Sequence, residues 1–273
     1  MAEDYFTANR RNWDERAHIH WRDSTGFYDI DAVRHGDTRL LPIEDGELGE
    51  VAGRRLVHLQ CHFGLDTLTL ARRGASVTGL DFSPVAIKYA RSFARELGIE
   101  ASFVEGNVYD ARTLVTGDFD IVYSTWGAIP WLPDIRRWAK VVASLLRRGG
   151  FVYLAEGHPS LSMLDERDPG LRPGYDFRTP PDAPIAADDE TTYTGDATPL
   201  VHRRNYNWIH PLSDVIMALM EAELKLVFIH EHEELPWPFA PNFEPVPGRA
   251  GMYRLPKGHP RLPLSFSIKA ARA

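Results

Sequence analysis

Cysteine is nearly missing: Cys61 is the only one in 273 residues. A lone thiol cannot close an internal disulfide, so a packed core must hold the fold, and a cytoplasmic setting is expected. A basic run is missing too. Lys and Arg number 31 against 38 Asp and Glu, a net charge of −7. Phosphate backbones call for clustered cations, so nucleic acid is not an expected partner. No apolar run approaches membrane-spanning length, so neither is a membrane. The opening MAEDYFTANRRNW has no apolar core of a secretion signal and reads as unprocessed. Repeats and low-complexity tracts are absent. What remains is a 44% hydrophobic chain, enough for a sizeable core, at a length suited to a single domain over 1–273.

The informative stretch is Leu56-Val57-His58-Leu59-Gln60, an apolar strand, followed by a turn from Cys61 to Gly64 and a helix starting near Asp66 or Thr67. A strand, a glycine turn and a helix N-terminus bring backbone N–H groups and partial positive charge to a ligand. The pattern then repeats. Ala75 to Asp81 is a second strand, and Ser83-Pro84 opens an amphipathic helix carrying Ile87, Ala90, Ala94 and Leu97. Ala101 to Glu105 and Phe119 to Tyr123 are further strands. A helix marked by Trp138, Val141, Val142 and Leu145 precedes the turn Arg147 to Gly150 and strand five, Phe151 to Glu156. Strands alternating with helices at this spacing predict βαβ units and a parallel sheet. The chain closes with a helix from Pro211 to Ala222, a strand from Leu224 to Ile229, and a strictly alternating strand from Pro263 to Ala270.

Two segments stand outside this alternation. Residues 1–35 are aromatic and polar, with a helix expected around Asn9 to Arg16 and then a loop, and residues 1–50 are taken together as an N-terminal cover segment. They could cover a ligand pocket or simply pack on the sheet. Residues 157–208 form an irregular insertion after strand five, in which Glu190 to Gly195 and Leu200 to Trp208 could pair as a hairpin. Residues 235–260, rich in Pro, Trp and Phe, are expected as a rigid loop.

Asp81 ends the second strand beside the glycine turn, where a carboxylate accepts hydrogen bonds from two ribose hydroxyls. This frame fits a dinucleotide or a nucleoside without phosphate. A pyrophosphate cradle needs three spaced glycines, and this turn holds one, Gly64. Cys61 reads as a small turn residue. Acids at Asp165, Glu166 and Asp168, or Asp188, Asp189 and Glu190, are read as solvated loop charges, and no metal is expected. Trp131 and Trp138 are read as core.

The runs LVHLQCHFGLDT, VTGLDFS, EGNVYD, FDIVYSTWGAIPWLPDI and LLRRGGFVYLAEGHP, with the closing LPLSFSIKA, resemble the class I S-adenosylmethionine-dependent methyltransferases. They look most like a bacterial branch with an HLQCHFG-type first motif. The resemblance implies an α/β fold: a Rossmann-like, doubly wound, seven-stranded sheet with the last strand antiparallel. It implies S-adenosyl-L-methionine as cofactor and methyl transfer to a small molecule. It places backbone from Gln60, Cys61 and His62 to Gly64 along the methionyl part, Asp81 on the ribose and Phe82 against the adenine. Asn107 and Val108 would edge the adenine, and Ser124, Thr125 and Trp126 would lie near the sulfonium and substrate. A proton acceptor is sought among histidines. His158, with Glu156 two residues before it, comes first, His18 follows, and His62 and His210 are further candidates. A monomer or homodimer is expected. A nicotinamide dehydrogenase and a non-catalytic cofactor-binding protein remain as alternatives.

Overall fold

The computed structural model describes residues 4–37, 40–165 and 170–273; Glu166 and Asp168 lie outside the described residues. Helix α1 (Tyr5–Arg22) leads into α2 (Ile30–Arg34) and α3 (Pro42–Glu47). Then come β1 (Arg55–Leu59), α4 (Leu65–Arg72), β2 (Ser76–Asp81), α5 (Pro84–Leu97), β3 (Ser102–Glu105), α6 (Ala111–Leu114), β4 (Phe119–Thr125), α7 (Ile135–Leu145) and β5 (Leu146–Gly157). The second half holds α8 (Pro159–Ser162), β6 (Ile185–Asp188), β7 (Arg204–Asn207), α9 (Leu212–Glu221), β8 (Leu224–His232), β9 (Glu244–Pro245), β10 (Tyr253–Arg254) and β11 (Ser265–Arg272).

Seven strands make one sheet in the order β3-β2-β1-β4-β5-β11-β8. Strands β1 to β5 are parallel, and β11 runs antiparallel between β5 and β8. The strand order reverses between β1 and β4, so a crevice opens at their carboxyl ends, where open α/β sheets bind ligands. Both faces are covered. Val57, Leu59, Val122, Val152 and Leu154 pack on Trp138 and Val142 of α7 and Leu219 of α9. Leu56, Val77, Ile121 and Tyr153 meet Leu70 of α4 and Leu40, Leu48 and Val51 from the segment before β1. Every residue of β4 is buried, as a central strand covered on both sides requires. Trp138 is fully buried, and truncating it to Ala would cost about 3–5 kcal/mol.

Local signals set the helix ends. The Ser83 hydroxyl accepts the Ala86 N–H, Pro84 takes the first helical position, and Gly98 ends α5 in the left-handed region. Asp134 caps α7 in the same way through the Arg137 N–H. Three expectations change. Helix α1 runs well beyond Asn9 to Arg16, and its buried face mixes Asn9, Asn12, Arg16 and His20 with Ala8, Ala17 and Ile19. Strand β5 starts at Leu146, so Arg147 to Gly150 belong to the strand, with a register shift opposite Phe119 and Ile121. The hairpin of the 157–208 segment pairs β6 with β7, so its first arm lies before Glu190.

Helix α1 and the β6–β7 hairpin are stitched together. Asn9 exchanges two hydrogen bonds with the Tyr206 backbone, at 2.9 and 2.7 Å. Asn12 donates to His202 O, and the Glu15 carboxylate accepts the N–H groups of Val201 and His202. Arg16 forms an ion pair with Asp189 at 2.5 Å. Tyr5 adds ring contacts to Tyr206 and Trp208.

Candidate functional site

The turn after β1 uses left-handed backbone at Gln60 (φ 58°), His62 (φ 51°) and Gly64 (φ 77°). Only the last must be glycine on steric grounds: a Cβ there would stand 2.5 Å from the Phe103 ring. The other two carry side chains in a conformation costing of order 1 kcal/mol, a strain that clusters at functional sites. The turn is tied to β2 on both sides. Cys61 N–H donates to Leu80 O at 3.0 Å, and His62 N–H donates to the Asp81 carboxylate at 2.8 Å. The second Asp81 oxygen accepts the Ser83 N–H. Burial pushes the Asp81 acid up to about 6, with these N–H bonds pulling the other way. The backbone amides hold the carboxylate at the sheet's carboxyl edge while its remaining lone pairs stay available.

The Gln60 amide reaches across to the loop after β4 and donates to Ala128 O at 2.7 Å. Its Oε1 is buried with no hydrogen-bond partner among the described residues, and so is the hydroxyl of Ser124. Buried polar atoms rarely go unpaired, so both invite a ligand's hydrogen-bonding groups. Thr125 is buried, and Phe82 is half-buried. Trp126 has φ 50°, and its indole N–H donates to both oxygens of Glu44 at 3.0 Å. Burial, with Asp66 nearby, raises Glu44 to about 8. Cys61 is buried, its thiol is pushed up by burial, and it packs against Gly79, so it acts as a compact filler.

Other expected residues land elsewhere. The Asn107 side chain caps the short turn Val108–Asp110 by accepting the Tyr109 N–H, and Val108 belongs to the core. Glu156 does not pair with His158. Its two oxygens accept N–H bonds from Gly127, Ala128, Ile129 and Gly157, at 2.7 to 3.2 Å, so the carboxylate clamps the loop after β4. Both nitrogens of the His158 ring are engaged: Nδ1 accepts the Ser160 N–H, and Nε2 bonds Glu231 at 3.0 Å. Burial lowers its pKa, and Glu231 offsets that. The ring thereby caps α8 and ties it to β8. His18 is exposed and bonds the Tyr89 hydroxyl on α5. His210 bonds Leu132 O.

In place of His18, the structure brings His20 to the turn. Its Nδ1 lies 3.0 Å from His62 Nε2 and 3.2 Å from the Tyr28 hydroxyl, which bonds Tyr193 at 2.5 Å. Trp13 sits edge-on to His62 and to Trp131, so Trp131 faces this cluster and only Trp138 is plain core. Burial lowers the pKa of both histidines, His62 to about 3, and the nearby Arg16 charge adds to this. Both rings are therefore neutral at pH 7. The sequence signal for this cluster was small: His62 in a turn position that favours glycine, and His20 one helical turn from Arg16. Among the described residues no group of His, Cys, Asp and Glu could hold a metal ion, and no helix is long and apolar enough to cross a membrane.

Residues 57–150 match a family model described as a methyltransferase domain. Ubiquinone biosynthesis O-methyltransferase of Cronobacter sakazakii is 30% identical over 121 residues, 43% of this chain and 49% of that protein. The chain thus spans about half the length of the curated relatives it matches. An S-adenosylmethionine-dependent methyltransferase from Mesorhizobium loti superposes over 87% of this chain and 99% of its own, with a TM-score of 0.57 and 19% identity. The magnesium protoporphyrin IX methyltransferase of Synechocystis, solved with bound S-adenosylhomocysteine, covers 95% of this chain and 100% of its own, at a TM-score of 0.50 and 15% identity. At these identities the likeness is one of fold, and the strand order with antiparallel β11 is what is shared.

Proposed function

We propose that the chain is a class I S-adenosylmethionine-dependent methyltransferase, and that it moves the methyl group of this cofactor to a nucleophile on a small molecule; the matching methyltransferase-domain model over residues 57–150 and the shared fold support this. The observation that carries the reading is the turn itself. Asp81 is fixed by the His62 N–H, and beside it the unpaired Gln60 Oε1 waits for a donor. A ribose with its two hydroxyls suits the acid, and a group bearing N–H suits the amide oxygen.

In this reading Asp81 holds the ribose and Phe82 lies along the adenine. Asn107 and Val108 shape the adenine edge through backbone, their side chains being used for the cap and the core. Gln60 to Gly64 line the methionyl part, and Ser124 to Trp126 face the reacting end. Bound there, the cofactor supplies an electrophilic methyl on a sulfonium. The protein's work is to align the nucleophile and exclude water. Glu156 takes part indirectly, by clamping the loop that carries Trp126. The name of the Cronobacter relative supports oxygen as the accepting atom.

Residues 1–50 act as a cover and 157–208 as a lid over the substrate, since α1 and β6–β7 join above the turn. The same reading makes the protein a cytoplasmic monomer or homodimer, and the charge of −7 supports small molecules over nucleic acid. Calorimetry with S-adenosylmethionine and S-adenosylhomocysteine tests the core of it. Micromolar binding of both is expected, and absence of binding to either sinks the proposal.

A further inference from the structure

His20 is buried near the end of α1, and its ring is bonded on one side only. Nδ1 faces His62 Nε2 at 3.0 Å and the Tyr28 hydroxyl at 3.2 Å. Nε2 is buried with no partner among the described residues. A buried ring nitrogen seldom goes unused. The same ring lines a small crevice beneath residues 23–25 and 194–196, and with Nδ1 taken, Nε2 is the nitrogen left for it. The crevice is rich in acceptors. The Asp23 and Asp196 carboxylates and the Thr194 carbonyl take hydrogen bonds from Tyr28 N–H, the Ser24 hydroxyl and the Thr25 hydroxyl in turn.

These contacts choose between tautomers. A neutral imidazole carries one proton, and the bond made by one nitrogen decides where it sits. Acceptor-rich walls favour an N–H, so His20 keeps its proton on Nε2 and its Nδ1 is a lone pair. Only one proton can stand between two facing nitrogens, so His62 supplies it from Nε2. That leaves His62 Nδ1 bare, and it makes no hydrogen bond with any described residue. His62 belongs to the turn after β1, at φ 51°, beside the amide that holds Asp81.

The geometry points to a proton relay: His62 Nδ1 takes the proton that a hydroxyl or amine nucleophile sheds on methylation, and His20 is the positioning residue that keeps this nitrogen bare and hands a proton on to the crevice. This rests on the methyl-transfer reading above. The step balances. The carbon–sulfur bond breaks with its electron pair left on sulfur, the bond from carbon to the nucleophile forms, and one proton must leave. It passes to His62 Nδ1, the Nε2 proton of His62 passes to His20 Nδ1, and the Nε2 proton of His20 enters the crevice. When the site opens, His62 Nδ1 gives its proton to water and the crevice returns one to His20 Nε2, which restores both tautomers. Burial keeps both rings neutral at pH 7, so a proton crosses without being stored. A pair that only pinned α1 to the turn would need the 3.0 Å bond, but not a bare Nδ1 on one side and a free Nε2 on the other.

Long-range proton–nitrogen NMR of the full chain, labelled with 15N at histidine and held at pH 7.5, reads the tautomers directly. The wild-type protein should show His62 protonated on Nε2 and bare at Nδ1, with His20 protonated on Nε2. A proton on His62 Nδ1, or a doubly protonated ring, overturns the relay. Saturating S-adenosylhomocysteine should shift the His62 Nδ1 signal and leave the His20 tautomer as it was; an unmoved His62 Nδ1 places the ring away from the reacting end and also overturns it. His20→Phe removes the acceptor, so His62 should then populate both tautomers, and an unchanged His62 would strip His20 of its positioning role. If that variant fails to fold, the wild-type spectra still decide. If calorimetry finds no binding of S-adenosylhomocysteine, the cofactor reading falls and the relay with it. If the ligand binds and His62 carries the opposite tautomer, only the relay falls.

Discussion

Replacing Glu156 with Gln isolates the clamp on the loop after β4. The carboxylate is buried at 2% exposure and accepts four backbone N–H groups, two on each oxygen. A glutamine of the same shape keeps one acceptor oxygen and turns an NH2 toward the other two donors. Each buried N–H left without an acceptor costs about 1–3 kcal/mol, so the variant should lose about 2–6 kcal/mol. Against a usual total of 5–15 kcal/mol this is large, and the melting temperature should fall by roughly 5–20 °C. Urea and thermal unfolding at pH 7 measure it directly. Glu231→Gln is the control. Glu231 is 55% exposed, so its ion pair with His158 should be worth less than about 1 kcal/mol. A Glu156→Gln protein within about 0.5 kcal/mol of wild type would refute the clamp, since four amides cannot be both buried and indifferent to their acceptor. The S-adenosylhomocysteine affinity should also drop, because Gln60 leans on Ala128 of the same loop.

Glu44 predicts a pH dependence. Its acid rises from the ordinary 4.5 to about 8 in the fold, so folding takes up a proton between these values. Its contribution is fully present below about pH 4.5 and is lost as pH rises to about 8, at up to about 1.4 kcal/mol per pH unit. Asp66 and Asp81, each raised to about 6, add the same sign at lower pH. Glu44→Gln should flatten the slope of urea midpoints between pH 6 and 8; an unaltered slope counts against a protonated Glu44. Gly64→Ala should lower stability by about 1–3 kcal/mol, through strain at φ 77° and the Phe103 contact, and a neutral result in urea would show the turn to be softer than drawn. His158→Ala should lose about 1–2 kcal/mol with the α8 cap and still bind S-adenosylhomocysteine; loss of binding would return the ring to the reacting centre.

Strand positions and the acid at Asp81 were readable because burial on both faces writes itself as apolar runs, and because a switch point fixes where ligands go. The expectation for α1 ended at Arg16 because periodicity scores apolar residues, whereas this helix buries Asn9 and Asn12 against backbone groups far along the chain and Arg16 against the Asp189 carboxylate. For the same reason His20 stayed hidden: its partners are His62 and Tyr28, and no local spacing announces such a meeting. Glu156 misled in the opposite direction. Its place beside His158 in sequence suggests a pair, but the loop returning after β4 offers three amides, and Gly157 a fourth, that outcompete one imidazole.

The seam between α1 and the β6–β7 hairpin also orders events during synthesis. Asn9 waits for Tyr206, a separation of 197 residues, and Arg16 waits for Asp189. Helix α1 therefore completes its docking only after β7 has been made, when β1 to β5 have already emerged. Until then the turn at Gln60 to Gly64 faces solvent without a roof.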